Sequence, residues 1–215
     1  MSYHDGYASS IGSKTALLLL TLAGVLFSLP ILSKNGQLVS SHSVLLLACV
    51  TVFYLRLAIC LLVFVKRKVS WIEGSAVGIL YGILVYMFSV WGSVADNISA
   101  MGIVGVILFV AGAWVNSQSD YQRYKWKKLP NNAGHIYTGG LFRYAMHINF
   151  FGDTVMFVGY AMVTQNSMSF IPVAAIFLNF ILFQIPSLDN YLLKRYGEEF
   201  TNYAQVTPKF IPFIY

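Results

Sequence analysis

Six apolar runs, each close to the length that crosses a bilayer, constrain this 215-residue chain more than any other feature. A transmembrane helix needs about 20 mostly apolar residues, and lipid offers an unpaired backbone no hydrogen-bond partner. The runs contain no alternating strand pattern, so helices are the expected element. The predicted spans are residues 15–32, 43–65, 76–95, 99–117, 149–165 and 168–186. The sequence therefore predicts an all-α, polytopic membrane protein with about six transmembrane helices.

Composition supports this class. Hydrophobic residues make up 57% of the chain and charged residues only 10%, with a mean hydropathy of +0.66, whereas soluble domains are about a quarter charged. The run "TALLLLTLAGVLFSLPIL" is too long for the apolar part of a signal peptide, so it predicts a first span. We find no internal repeat and expect one membrane-embedded domain over residues 1–215, with a four-helix part (1–118) followed by a loop, a helical hairpin and a tail (119–215).

Basic residues indicate how the chain is oriented. With six spans both termini share one side, and nearly all of the 14 lysines and arginines fall there, Lys34 and Arg56 being the exceptions. The positive-inside rule then predicts an integral membrane protein with both termini in the cytoplasm, in the endoplasmic reticulum or a bacterial plasma membrane. A soluble cofactor would bind from that side, at the 118–148 loop and the 187–215 tail, which together would form a cofactor cradle.

Several classes of function lack their motifs. The pI is about 9.3, but no run of five basic residues occurs, so no nucleic-acid partner is expected. Cys49 and Cys60 share one apolar run without a CxxC pair, which favours buried thiols. Four scattered histidines and no HExxH predict no metal site. GxGxxG, GxxxxGK[ST] and GxSxG are also missing.

Arg56 is the first polar residue that needs an explanation. It lies about ten residues before Lys66, or ~15 Å along a helix, and therefore near the middle of the membrane. A buried arginine needs a partner, which is either an anionic ligand group or a carboxylate on another helix. Asp153 and Glu73 are the acidic candidates, and the sequence does not choose between them.

The stretch "RYAMHINFFGD" carries polar residues to the start of the fifth run. Asn149 and Asp153 are four residues apart and share one helical face, with His147 just before them. Gly152 would let a ligand or another backbone approach closely. One interpretation is a wall for a bound polar molecule. The other is that Asp153 pairs with Arg56 and that Asn149 caps the fifth helix.

The third run combines small and aromatic residues. Gly74, Gly78 and Gly82 recur at four-residue spacing, which favours close helix packing. Tyr81 and Tyr86 in the same run are either core aromatics or proton donors. A basic loop, a polar helix start and a tyrosine-rich tail suit an anionic, nucleotide-like cofactor above a membrane pocket, which a hydrophobic substrate would enter from lipid.

A family resemblance sharpens this expectation. The segment "SDYQRYKWKKLPNNAGHIYTGGLFRYAMHINFFGD" resembles the C-terminal region of steroid 5-alpha-reductase-like membrane proteins, most closely their small bacterial relatives. The tail "RYGEEFTNYAQVTPKFIPFIY" is similar to the ending of the sterol reductases. The same superfamily holds isoprenylcysteine and phospholipid methyltransferases, which use S-adenosylmethionine. Their R-H-P-x-Y-x-G pattern is not usually followed by an acid, so N-F-F-G-D looks more like the reductases.

The resemblance implies a membrane-bound, NADPH-dependent reductase of a carbon–carbon double bond in a steroid- or lipid-like substrate. Asn149 and Asp153 would then lie near the nicotinamide. The whole cofactor-binding set implied is Asp120, Arg123 and Lys125 near the phosphates or ribose, Arg195, Tyr196 and Tyr203 near the adenosine, and also Arg143, Tyr144, His147 and Gly152.

The proton donor is not supplied by the resemblance. Glu73, Tyr81 and Tyr86 are candidates for this catalytic role by position alone. Met146 also stands where the family pattern has arginine. Two alternatives therefore stay open: an S-adenosylmethionine-dependent methyltransferase, and a non-catalytic structural subunit that works with partner subunits in a membrane complex.

Overall fold

The computed structural model describes residues 10–34, 37, 38 and 40–214. The helices are α1 (Ile11–Leu32), α2 (Ser41–Ile59), α3 (Trp71–Gly92), α4 (Ala100–Lys127), α5 (Ile148–Thr164), α6 (Phe170–Asn179), α7 (Ile185–Tyr196) and α8 (Glu198–Val206). π-helical turns continue α2 (Cys60–Phe64) and join α6 to α7 (Phe180–Gln184). Short 3-10 turns cover Pro130–Asn132, Gly140–Arg143 and Ser167–Ser169, and β1 (Ser33–Lys34) pairs with β2 (Gln37–Leu38) in an antiparallel hairpin.

The predicted all-α, polytopic architecture is confirmed. Within the described part of the chain, five helical segments are long and apolar enough to cross a membrane: Ile11–Leu32, Ser41–Phe64, Trp71–Gly92, Ala100–Lys127 and Ser167–Tyr196. The sixth predicted span is the shorter apolar helix α5, with 17 residues. Every apolar run identified in the sequence is therefore helical.

The predicted loop and tail are more helical than expected. Helix α4 continues to Lys127, so the connection to α5 begins at residue 128 rather than 118. Lysines in its last turn, Lys125 and Lys127, suit the negative end of the helix dipole. The tail is helical from 187 to 196 and again in α8, with Gly197 at φ +54° marking the break between α7 and α8.

Helices α1 and α3 pack through small residues. A Cβ added at Gly74 would lie 2.5 Å from the carbonyl oxygen of Ser13, and one at Gly82 would lie 2.8 Å from that of Leu20. Gly78 is equally tight against α1. The close packing predicted from the four-residue glycine spacing is therefore confirmed.

Helices α4 and α5 form a second glycine interface, which the sequence analysis missed. Gly112 faces Gly152, and a Cβ added at Gly112 would lie 2.3 Å from the backbone nitrogen of Met156. Gly105 and Gly159 repeat this contact about two turns away. The two backbones touch along most of α5, so α4 fixes where the polar side chains of α5 point.

One end of the bundle collects the basic segments. The Val69 N–H donates to Ser10 Oγ at 3.0 Å, and the Met146 N–H donates to the carbonyl oxygen of Pro208 at 2.8 Å. This end, called the basic end below, consists of residues 65–70, 123–147 and 191–214. That it faces the cytoplasm stays a prediction of the basic-residue distribution.

We expect Gly112→Ala to destabilise the protein because its new methyl group would meet the backbone of α5. The cost should be about 1–3 kcal/mol, typical of overpacking. Gly102→Ala on the same helix is the matched control, since its Cβ would have 3.5 Å to its nearest neighbour. Thermal unfolding in detergent should separate the two variants, and equal midpoints would contradict a tight α4–α5 contact.

Candidate functional site

Arg56 and Asp153 form an ion pair inside the bundle. Arg56 Nη2 lies 2.5 Å from Asp153 Oδ1, and Arg56 Nη1 donates to the sulfur of Met156 at 3.3 Å. The ion-pair interpretation that the sequence left open is therefore the one observed. The other acidic candidate, Glu73, pairs with Arg67 at the start of α3.

The pair is neither fully enclosed nor fully satisfied. The Arg56 and Asp153 side chains keep 13% and 18% of their surface accessible, so the bundle encloses both largely but not completely. Arg56 Nε is buried without a hydrogen-bond partner among the described residues. Buried polar atoms nearly always have partners, so the unpaired Nε donor of this partly accessible arginine suits a ligand that brings an acceptor.

Further polar groups continue from this pair toward the basic end. Cys60 lies one helical turn after Arg56, and its thiol donates to Asp120 Oδ2 at 3.7 Å. Asp120 Oδ1 in turn accepts from Arg123 Nη2 at 2.6 Å. The Arg123 side chain is 36% exposed, whereas that of Asp120 is only 6% exposed. We call these five residues together the polar column: Arg123, Asp120, Cys60, Arg56 and Asp153.

Only one of the three proton-donor candidates lies beside the polar column. Tyr81 is half-buried, and its ring packs against Phe53 and Phe157, which lie one turn from Arg56 and Asp153. Tyr86 is 42% exposed on the outer face of α3. Glu73 is held by Arg67 where α3 begins. The structure therefore brings Tyr81, but neither Glu73 nor Tyr86, to the ion pair.

One predicted role on α5 needs correction, and one open alternative is decided. His147, not Asn149, occupies the N-cap position of α5, so Asn149 is not the helix cap. The Asn149 carbonyl oxygen instead accepts from Asn116 Nδ2 at 2.9 Å. A Cβ added at Gly152 would lie 2.6 Å from the backbone nitrogen of Asn116 and 2.9 Å from the carbonyl oxygen of Gly112. Of the two predicted alternatives for Gly152, a ligand or another backbone, the backbone of α4 is therefore the one observed.

His147 is buried in a second polar cluster. Only 1% of its surface is exposed, and its Nε2 lies 2.7 Å from Asp189 Oδ1. Lys209 Nζ lies 3.0 Å from the other oxygen of Asp189. The His147 ring also stacks on Phe150, with 12° between the planes. Asp189 and Lys209 were not predicted as part of the site, because nothing in the order of the residues indicates that the tail returns to the start of α5.

The structure separates Lys125 from the residues with which it was grouped. Lys125 lies over the ring of Tyr121, one turn earlier on α4, at 5.3 Å from the ring centroid. Both residues are exposed, whereas Asp120 and Arg123 turn toward the bundle.

Tyrosines and cations interleave where α7 meets the end of α4. Lys127 Nζ donates to the hydroxyl of Tyr196 at 2.9 Å, and Arg195 Nη1 donates to that of Tyr191 at 2.8 Å. Arg195 and Tyr196 were predicted, but Lys127 and Tyr191 were not. Their side chains were visible in the sequence, yet which lysine meets which tyrosine depends on how α7 packs.

Arg143, Tyr144 and Tyr203 gather on another part of the basic end. A cavity of about 490 Å³ is lined by Arg143 and Tyr203, among others. The Tyr203 hydroxyl donates to the carbonyl oxygen of Phe142 at 2.5 Å, and burial raises the pKa of this phenol, so it stays a donor. Arg143 Nη2 donates to the Tyr144 hydroxyl at 2.9 Å.

Comparison with known proteins shows the family. Residues 75–207 match the family described as protein of unknown function (DUF1295), and the chain belongs to it. Rat 3-oxo-5-alpha-steroid 4-dehydrogenase 2 is 32% identical over 111 residues, and its human counterpart is 30% identical over 113. Each match covers 52% of this chain and 42% of the relative, so the chain spans about two fifths of those proteins.

A protein from the second branch of the predicted superfamily also matches. The Ustilaginoidea virens protein named "Probable O-methyltransferase ustE" is 33% identical over 92 residues, which cover 42% of this chain and 32% of that protein. The predicted resemblance to a superfamily that holds both steroid reductases and methyltransferases is confirmed.

Arg56→Met should destabilise the protein by about 3–5 kcal/mol, because it strands the Asp153 carboxylate inside the bundle. Arg56→Met combined with Asp153→Leu should recover most of the loss, since no unpaired charge remains. Glu73→Gln, which weakens a pair near the helix end, should cost no more than about 1 kcal/mol. Thermal unfolding in detergent measures all three, and a double variant no more stable than Arg56→Met would contradict the pairing.

Proposed function

We propose that this protein is a membrane-bound reductase that uses NADPH to saturate a carbon–carbon double bond in a hydrophobic substrate. The observation that carries the proposal is the polar column, which connects the basic end of the bundle to an ion pair and a tyrosine inside it. A reductase of this kind needs a polar cofactor at one end and an apolar substrate at the other. The matches to 3-oxo-5-alpha-steroid 4-dehydrogenase 2 support the same class.

The column provides groups that a dinucleotide requires. Arg123 is partly exposed at the basic end and suits a phosphate, while Asp120 orients its guanidinium. Lys127 and Arg195 add cations, each beside a tyrosine ring that could stack on a base. Asp153 lies deeper and would accept from the carboxamide of a nicotinamide. NADPH, when bound there, supplies the hydride.

Tyr81 is the residue that we assign to proton transfer. Reduction of a double bond adds a hydride to one carbon and a proton to the other, and a phenol can supply that proton in a dry site. The phenolate left behind would be stabilised by Arg56, whose own charge Asp153 balances. A proton taken up from water would then restore Tyr81.

A methyltransferase that uses S-adenosylmethionine is the second candidate. The match to the protein named as an O-methyltransferase favours it, because that match is as similar in sequence as the steroid enzymes are. The same carboxylates would then face a sulfonium cation and an amino group. The two candidates therefore predict different ligands for one site.

Parallel titration of NADPH and S-adenosylmethionine against the purified protein tests this proposal. A ligand that binds only the folded state must raise the unfolding temperature. We expect NADPH to do so, and we expect the Arg56→Met/Asp153→Leu variant to lose most of this shift while remaining folded. Stabilisation by S-adenosylmethionine alone would make the methyltransferase the correct assignment. If neither ligand had an effect, the proposal of an enzyme would be rejected, and the alternative of a non-catalytic structural subunit would be accepted.

Tyr81→Phe should leave NADPH binding intact and lower the rate of double-bond reduction by about 10²- to 10⁴-fold, the usual contribution of a general acid. The readout is oxidation of NADPH in the presence of a hydrophobic substrate. Tyr86→Phe is the matched control, since its side chain lies on the outer face of the same helix. Equal loss in both variants would contradict the assignment of Tyr81.

A further inference from the structure

The tail returns to the start of α5 and is bound there by its backbone. The N–H of Met146 donates to the carbonyl oxygen of Pro208 at 2.8 Å, and the N–H of His147 donates to that of Lys209 at 3.0 Å. These donors lie just before α5, where a helix N-terminus leaves backbone N–H groups without internal partners. The tail therefore acts as a strap across the beginning of the helix.

Asp189 ties three elements together at the same place. One of its oxygens meets His147 Nε2 and the other meets Lys209 Nζ, so α7 binds both the start of α5 and the strap. The Asp189 side chain is only 16% exposed, and a carboxylate shared between two donors in such surroundings is held in one position. A carboxylate bound to a histidine also fixes the orientation of the imidazole ring.

An apolar contact completes the attachment. Phe210, the residue after Lys209, is fully buried. Its ring packs against Phe151 on α5 and Phe177 on α6, with centroids 6.3 and 5.8 Å away. Backbone bonds, a charged bridge and a buried ring on consecutive residues thus hold the strap together.

We propose that Asp189 and Lys209 are positioning residues for the cofactor site. Their ion pairs are with His147 and with each other rather than with Asn149 or Asp153, but they hold the N-terminal turn of the helix that carries both. A helix is stiff over two turns, so a shift at His147 moves Asn149 and Asp153 with it. This inference rests on the proposed function and adds to it the reason why the tail returns to α5.

The first part of the test follows the strap itself. Lys209→Met removes the cation from a side chain that is 39% exposed, so the core stays packed. We expect the Met146 and His147 amides to exchange with deuterium at least about tenfold faster in this variant. This factor corresponds to the loss of about one hydrogen bond to a charged group. Lys194→Met, on the exposed side of α7, is the matched control and should not change the exchange.

The second part follows the site. Lys209→Met and Asp189→Asn should each weaken NADPH binding by about tenfold in a calorimetric titration, and Lys209→Arg should restore it. Unchanged amide exchange in Lys209→Met would contradict the claim that Lys209 holds the strap at the start of α5, and the proposal would fall with it. Faster exchange with unchanged affinity would overturn the positioning role alone. If the wild-type protein did not bind NADPH, the proposed function would fail first, and the positioning role would fail with it.

Discussion

The cost of a charge in lipid governs the arrangement of this protein. Arg56 and Asp153 lie on two different apolar helices, α2 and α5, where lipid offers a charge no partner. Each side chain therefore holds the other in place, and the ion pair joins α2 to α5. Cys60, one turn after Arg56, extends the polar groups to Asp120. Tyr81 packs against Phe53 and Phe157, each one turn from a member of the pair. The proposed cofactor and proton-donor positions both depend on this one interaction.

Glycine packing gives the polar groups their direction. Because Gly112 and Gly152 bring the backbones of α4 and α5 into contact, α5 cannot rotate without colliding with its neighbour. Asp153 is therefore held toward α2, and Asp120 on α4 is placed toward Cys60. Helices in lipid gain little from hydrophobic association, so this close backbone contact is the main source of their alignment. At the basic end, Asp189 and the strap add a second constraint on α5.

Much of the fold could be predicted from the sequence, because apolar length and glycine spacing are local properties. The six helical runs and the packing of Gly74, Gly78 and Gly82 follow from such signals. The ion pair between Arg56 and Asp153 was one of two open interpretations, since the sequence names possible partners but not their distances. Whether a ligand or another backbone approaches Gly152 could not be decided from the sequence, because the answer depends on Gly112, forty residues earlier. Asp189 and Lys209 were missed because only the folded tail brings them to His147.

The most direct test of the central claim is transfer of an isotopic label. The protein in its native membrane lipids would receive NADPH deuterated at the transferred position, or S-adenosylmethionine with a deuterated methyl group, and the lipids would be examined by mass spectrometry. The proposed reductase predicts deuterium from NADPH at a newly saturated carbon of a hydrophobic product. Deuterium that arrives only as a methyl group from S-adenosylmethionine would contradict the account.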